Sequence, residues 1–175
     1  MTQIEKSPVF GGGGGKEFND YTSAPSTIKR IALLKIRSGN TVDSIQATYE
    51  LENGELWEAP AHGGDGGKPA QISLQGQELI SVLIRSGNKV DQLRFAALEG
   101  KVVRGYGPYG GDGGGANAVV GNVVALFGRS GARVDAIGLY GYNLMSTRST
   151  ATIEELAVEA EALRTTQSAS LGAAG

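Results

Sequence analysis

An all-β fold, with three four-stranded antiparallel sheets set around a shared axis like the sides of a prism, follows from three features of the sequence. The first is a repeat. The string Arg-Ser-Gly-x-x-Val-Asp occurs at Arg37–Asp43, Arg85–Asp91 and Arg129–Asp135, and five matched positions recurring at near-constant spacing mark a repeated supersecondary unit. The second is a glycine-rich element that alternates with it: Gly11–Gly15, Gly63–Gly67 and Gly110–Gly114. The third is hydrophobicity of period two after each aspartate, the pattern of a half-buried strand.

Each unit reads as strands in the same order. Ahead of the motif, Ile31–Ile36, Leu79–Ile84 and Val123–Phe127 are apolar and rich in branched residues, which suits strands. The Gly-x-x-x stretch is then a hairpin loop, with the aspartate opening the return strand. After Asp43, Ile45, Ala47 and Tyr49 alternate with Ser44, Gln46 and Thr48. Leu93 and Phe95 do the same after Asp91, and Ile137 and Leu139 after Asp135. Asn53-Gly54 is a further hairpin signal. This predicts about four strands per unit and about twelve in all. A lone four-stranded sheet leaves its apolar face bare, whereas three packed around an axis share one core. Equivalent loops then gather at one end, where function concentrates.

The composition narrows the function classes. Glycine accounts for 28 of 175 residues, about twice the usual share, but there is no Gly-X-Y period. With 16 basic and 18 acidic residues the net charge is −2, which offers no electrostatic footprint for a phosphate backbone or an anionic membrane. Nucleic acid is not an expected partner. No run of about 20 apolar residues offers a transmembrane helix, so membrane insertion is not expected either. MTQIEKSPVF carries no signal-peptide pattern, and the expected location is cytoplasmic, or secreted without a visible signal. There is no cysteine and one histidine, His62, which excludes thiolate sites, multi-histidine metal sites and mechanisms needing two imidazoles.

The glycine loops are not phosphate cradles. Gly15-Lys16 has Phe10 where a Walker A loop needs glycine, and Glu17 where it needs Ser or Thr. No helical pattern follows any of them, as a dinucleotide fold requires. Asp65 and Asp112 lack the dense acidic run of a calcium loop. No nucleophile with a base and no paired acid and base stand out, so no catalytic residue, metal or cofactor is expected.

The Gly-x-x-x-Asp motifs and glycine loops, with Gly107-Pro108-Tyr109-Gly110-Gly111 running into the third loop, resemble the jacalin-related lectins of the mannose-binding type, and within that family its three-site members. The resemblance spans about residues 8–143. It implies a β-prism I fold with pseudo-threefold symmetry, and a non-enzymatic protein whose partners are mannose- or glucose-type glycans or glycoproteins. It also implies that each aspartate accepts hydrogen bonds from two sugar hydroxyls, while backbone N–H groups of the x residues and of a facing glycine loop donate to sugar oxygens. Carried onto this chain, the sites are Gly39, Asn40, Thr41, Val42 and Asp43 with Gly64; Gly87, Asn88, Lys89, Val90 and Asp91 with Gly111; and Gly131, Ala132, Arg133, Val134 and Asp135 with Gly12. The first glycine loop is expected opposite Asp135, because in this family the first strand closes the last sheet. Galactose-preferring members present a free amino terminus at the glycine loop, whereas ten residues precede Gly11 here, so mannose or glucose is the expected ligand. Two departures stand out. Three-site members carry tyrosine two places before the aspartate, where this chain has Thr41, Lys89 and Arg133, so an aromatic wall is missing and two cations enter. Two glycine loops also have Asp65 and Asp112 at their centres. The alternative reading is a prism that serves as a structural or protein-interaction module without sugar binding.

Other residues have plainer expectations. His62 reads as a solvated loop residue, Trp57 and Tyr109 as packing residues at the prism ends, and Tyr140 and Tyr142 as packing or site-edge residues. Residues 1–7 read as a tail and 144–175 as an extension. Within it, Thr152-Ile153-Glu154-Glu155 is a capping box, and Ile153, Leu156, Ala160 and Leu163 share one helical face. A short helix over about 153–165 is expected to pack on the prism or to mediate homo-oligomer formation, followed by a disordered end.

Overall fold

The computed structural model describes residues 3–148. From the amino end come β1 (Glu5–Lys6), β2 (Phe10–Gly11), β3 (Lys16–Asn19) and the one-turn helix α1 (Asp20–Ser23). Next are β4 (Ile28–Ser38), β5 (Val42–Leu51), β6 (Leu56–Glu58), β7 (His62–Gly63) and β8 (Lys68–Ser73). The chain continues through β9 (Glu78–Ser86), β10 (Val90–Glu99), β11 (Val102–Gly110), β12 (Gly115–Ser130) and β13 (Val134–Arg148).

These strands make three antiparallel sides. In the first, β8 flanks β4, β4 pairs β5, and β6 and β7 are two pieces of one outer strand on β5. In the second, the first part of β12 flanks β9, followed by β10 and β11. In the third, β3 flanks the last part of β12, followed by β13 with β1 and β2 on its far edge. In the first two sides the fourth strand returns beside the first, as in a Greek key, and the third reaches the same spatial order with β1, β2 and β3 supplied from the amino end. The expected fold of three four-stranded sheets is what the chain adopts, with the amino-terminal strands closing the third side.

Two features exceed the sequence expectation. β12 is one continuous strand that serves two sides: Gly115–Val120 pairs with β9 and Phe127–Ser130 with β3. The change of side falls at Gly121, whose φ of +147° and neighbouring register shifts mark a bulge that bends the strand. The second feature is the extent of the sheet. Glu5 and Lys6 pair with Gly141 and Tyr140, and the Ser7 N–H donates to the Leu139 carbonyl at 2.8 Å. β13 stays paired with β12 as far as Arg148. The paired strands therefore begin inside the segment read as a tail and pass beyond residue 143. The helix expected over 153–165 and the end beyond it lie outside the described residues.

The inward faces form one core. Ile45, Ala47 and Tyr49 of β5, Leu93 and Phe95 of β10, and Ile137 and Leu139 of β13 are fully buried together, the residues that the alternation selects. Burying each Ile or Leu contributes about 1.5–3 kcal/mol. The second side is apolar outside as well, where Ile80, Ala96, Leu98, Ala118 and Val120 cluster separately.

A buried polar knot ties the first side to the third. The Tyr49 hydroxyl donates to Asp20 Oδ2 at 2.6 Å and accepts the Leu126 N–H at 3.1 Å. His62 Nε2 lies 2.7 Å from Asp20 Oδ1, and its ring stacks on Phe18 with centroids 3.7 Å apart. His62 is thus a buried partner of Asp20, not the solvated loop residue expected from its place beside the second glycine loop. Asn19, whose Oδ1 accepts the Thr22 N–H at 3.0 Å, caps the short helix that brings Asp20 inward.

Burial first, and the Asp20 charge next, push the Tyr49 hydroxyl well above its ordinary range. Its folded pKa therefore exceeds the unfolded value of about 10, so its contribution is fully present below that pH and is lost as pH rises beyond it. Tyr49→Phe should cost about 1–3 kcal/mol at neutral pH. In denaturant melts the gap between wild type and variant should narrow above pH about 10; a gap that stays constant or widens contradicts this account.

Candidate functional site

Three hairpin loops carry the repeat motif, and they are built alike. Gly39–Thr41 joins β4 to β5, Gly87–Lys89 joins β9 to β10, and Gly131–Arg133 joins β12 to β13. In each, the glycine N–H donates to the carbonyl of the third loop residue, at 3.0, 3.0 and 2.9 Å. The valine that opens the return strand (Val42, Val90, Val134) is fully buried, so it anchors the hairpin. The aspartate follows it.

The glycine loops join the third and fourth strands of each side and lie on the aspartates. Gly64 N–H donates to the Asp43 carbonyl at 2.8 Å, Gly111 to Asp91 at 2.9 Å, and Gly12 to Asp135 at 2.9 Å. Asp135, in the third unit, thus faces the amino-terminal loop Gly11–Gly15. The carboxylates rest against bare backbone. A Cβ on Gly66 would stand 2.8 Å from Asp43 Oδ1, and one on Gly67 2.6 Å from Oδ2. The corresponding values are 3.0 and 2.8 Å for Gly113 and Gly114 at Asp91, and 2.7 Å for both Gly14 and Gly15 at Asp135. Any side chain there would cover the carboxylate.

The arginine that opens each motif holds its glycine loop in place. Arg37 Nε and Nη2 donate to the Gly66 and Gly67 carbonyls, both at 3.0 Å. Arg85 donates to Gly113 and Gly114 at 3.1 and 2.8 Å, and Arg129 to Gly14 and Gly15 at 3.0 and 2.9 Å. Sequence reasoning assigned these arginines no role, although their recurrence in the repeat was the signal. Each gives two donors to glycine carbonyls, Arg129 Nη1 also reaching Glu17 Oε1 at 3.4 Å, and among the described residues no protein donor hydrogen-bonds the carboxylate of Asp43, Asp91 or Asp135. The Asp43 side chain is 13% exposed and Asp91 is half-buried, whereas Asp135 is buried, so the carboxylates sit low among the loops and Asp135 lies deepest.

The six loops form a closed ring at one end of the prism. A Cβ on Gly64 would lie 2.3 Å from the Ala132 carbonyl oxygen, one on Gly111 2.5 Å from that of Asn40, and one on Gly12 2.2 Å from that of Asn88. Each glycine loop therefore touches its own aspartate on one side and the motif loop of another unit on the other. The structure brings all the sequence-predicted residues into this ring. It also redirects one: Arg133 Nε stands 4.0 Å from Asp43 Oδ1, so its side chain reaches the site of the first unit. Asp65 and Asp112 are exposed at the loop centres, and Gln92 Nε2 donates to the Gly111 carbonyl at 3.2 Å. Trp57 stacks on Tyr49 at 5.6 Å, and Tyr140 packs edge-on against Phe127 at 5.3 Å; both serve packing.

Residues 7–140 match the family described as the Jacalin-like lectin domain. The chain belongs to this family. Among curated relatives, this jacalin-like lectin chain is 32% identical to an agglutinin of Castanea crenata over 142 residues, which is 75% of the chain and 44% of the agglutinin. It is 31% identical to griffithsin of Griffithsia sp. over 134 residues, 75% of the chain and 92% of griffithsin. It thus spans less than half the length of the first relative and nearly all of the second. Among solved structures, a mannose-binding jacalin-related lectin of Ananas comosus superposes with a TM-score of 0.70 and 31% identity, covering 82% of this chain and 99% of that one.

The ring makes a local prediction. In Gly64→Ala the new Cβ collides with the Ala132 carbonyl, which must shift at a cost of about 1–3 kcal/mol. Amide resonances of Gly131–Arg133 should move and the melting temperature should fall. Gly13→Ala, with open space around the Cβ position, should leave the melting temperature within about 1 °C of wild type. Equal effects from the two substitutions would contradict the ring.

Proposed function

We propose that this jacalin-like lectin domain binds mannose- or glucose-type hexopyranosides, without making or breaking a covalent bond, through up to three sites centred on Asp43, Asp91 and Asp135. The observation that carries this reading is a carboxylate that takes no hydrogen bond from the described residues and faces bare glycine backbone, present three times in one ring. A pyranose displays neighbouring hydroxyls that each donate and accept, and water competes for all of them. One carboxylate accepts two hydroxyl protons at once, and charge-assisted hydrogen bonds are about twice as strong as neutral ones. The N–H groups of Gly12, Gly64 and Gly111, expected to face the sugar, are taken by the aspartate carbonyls. The donors to the sugar oxygens are therefore the other loop N–H groups, already ordered by the hairpin and the arginine clamp, and little entropy is lost on binding. Family membership supports the same reading, as does the description of the Ananas comosus lectin as mannose binding.

The geometry suits weak single sites and strong multivalent ones. A shallow pocket of this kind is expected to bind a monosaccharide at about mM. Three sites at one end raise the apparent affinity for a branched glycan by about 10² to 10⁴ where its arms reach two or three of them together. The natural partners are therefore glycoproteins or free glycans with several mannose termini.

Calorimetry with methyl α-mannoside should give up to three sugars per chain. The triple substitution Asp43→Asn, Asp91→Asn, Asp135→Asn should abolish binding while leaving the thermal melt cooperative. If the triple variant binds glycans as the wild type does, the sites are misassigned. If the wild type binds no mannoside or glucoside at tens of mM, the prism serves as a protein-interaction module instead.

A further inference from the structure

The ring of loops makes the three sites alike in hydrogen bonding and unlike in charge. The residue two places before the third aspartate reaches out of its own unit. Arg133, from the third unit, lies 4.0 Å from Asp43 of the first, with its side chain 48% exposed. The contact of Gly64 with Ala132 recurs as Gly12 with Asn88 and Gly111 with Asn40, so the same register sets Lys89 beside the Asp135 site and Thr41 beside the Asp91 site. The centres of the glycine loops differ too: Asp65 in the Asp43 site, Asp112 in the Asp91 site, Gly13 in the Asp135 site. The Asp43 site thus holds two acids and a guanidinium, whereas the Asp135 site holds one acid, with Lys89 on the loop beside it. The Asp91 site holds two acids and no cation from the neighbouring loop.

We propose that the residue lent by the neighbouring unit determines each site's specificity, Arg133 and Lys89 opening the Asp43 and Asp135 sites to saccharides that carry an anionic substituent, while the Asp91 site takes neutral saccharides only. This rests on the sugar-binding reading above. At 4.0 Å, Arg133 Nε lies beyond hydrogen-bond reach of the Asp43 oxygen, so the carboxylate remains able to accept sugar hydroxyls. The guanidinium keeps donors for a second group, and its fork matches a sulfate, phosphate or carboxylate bidentately. It also offsets the repulsion that Asp43 and Asp65 would exert on an anion. Without that cation, Asp91 and Asp112 repel one. Charges at such exposed positions are worth modest factors and are screened within about 10 Å at 0.1 M salt.

The test uses three proteins that each retain one aspartate, the other two being changed to Asn. Each is titrated by NMR with methyl α-mannoside and with its four monosulfates, one at each of the 2-, 3-, 4- and 6-hydroxyls. In the Asp43-only and Asp135-only proteins, the best-bound monosulfate should bind at least as tightly as the neutral mannoside. In the Asp91-only protein every monosulfate should bind about threefold to tenfold more weakly. Adding Arg133→Thr to the Asp43-only protein should give it the Asp91 pattern, and Arg133→Lys should preserve tolerance of sulfate. Adding Thr41→Arg to the Asp91-only protein should create that tolerance, and about 1 M salt should erase the differences. The proposal is overturned if proteins that bind the neutral mannoside rank the monosulfates alike at all three sites, or if Arg133→Thr leaves the ranking unchanged. If none of the single-site proteins binds the neutral mannoside, the sugar-binding reading itself fails.

Discussion

Arg37, Arg85 and Arg129 each stand six residues before an aspartate, and their guanidinium groups donate to the carbonyls of the glycine loop that lies on that aspartate. The rest of the site depends on that arrangement. A carboxylate that receives an arginine fork has about half of its acceptor sites taken and its charge offset, and offers less to a hydroxyl. By holding the glycine loop, the arginine brings bare backbone to the carboxylate while leaving its oxygens open. The glycines complete the arrangement, since a Cβ on Gly67, Gly114 or Gly15 would fall within 2.6 to 2.8 Å of an aspartate oxygen.

The scaffold beneath is stiff for reasons that lie far from the loops. β12 runs unbroken through two of the three sides, and the Tyr49–Asp20–His62 knot joins the first side to the third. The hairpins rise from strands whose first residues, Val42, Val90 and Val134, are wholly buried. Each loop is therefore set by core packing before any ligand arrives, which is how a rigid scaffold positions binding loops. The ring adds a lateral constraint: displacing one glycine loop disturbs its own aspartate and the hairpin of another unit.

Much of this was legible in the chain, because it is written three times. The repeat located the aspartates and hairpins, and the alternation after them selected Ile45, Ala47, Tyr49, Leu93, Phe95, Ile137 and Leu139 as core. Period two works for strands with one wet face. It fails where both faces are covered, and β12, with its nearly continuous burial, was seen only from Val123. His62 was misjudged because its partner, Asp20, is 42 residues away and its burial comes from Phe18 stacked on it. The short strand at Glu5 has no alternation to read, being held by backbone pairing with β13. The reach of Arg133 into the Asp43 site was hidden for a related reason, since spacing along the chain shows a residue's own unit and not the one it faces.

The central claim is that an open aspartate edge and a facing glycine loop hold a hexose by its hydroxyls. A crystal structure grown with saturating methyl α-mannoside tests it most directly. The account predicts a pyranose in the ring of loops, with two of its hydroxyls within hydrogen-bond distance of the carboxylate oxygens of Asp43, Asp91 or Asp135 and its oxygens facing backbone N–H groups. A mannoside seated elsewhere on the prism, with these carboxylates untouched, would contradict it.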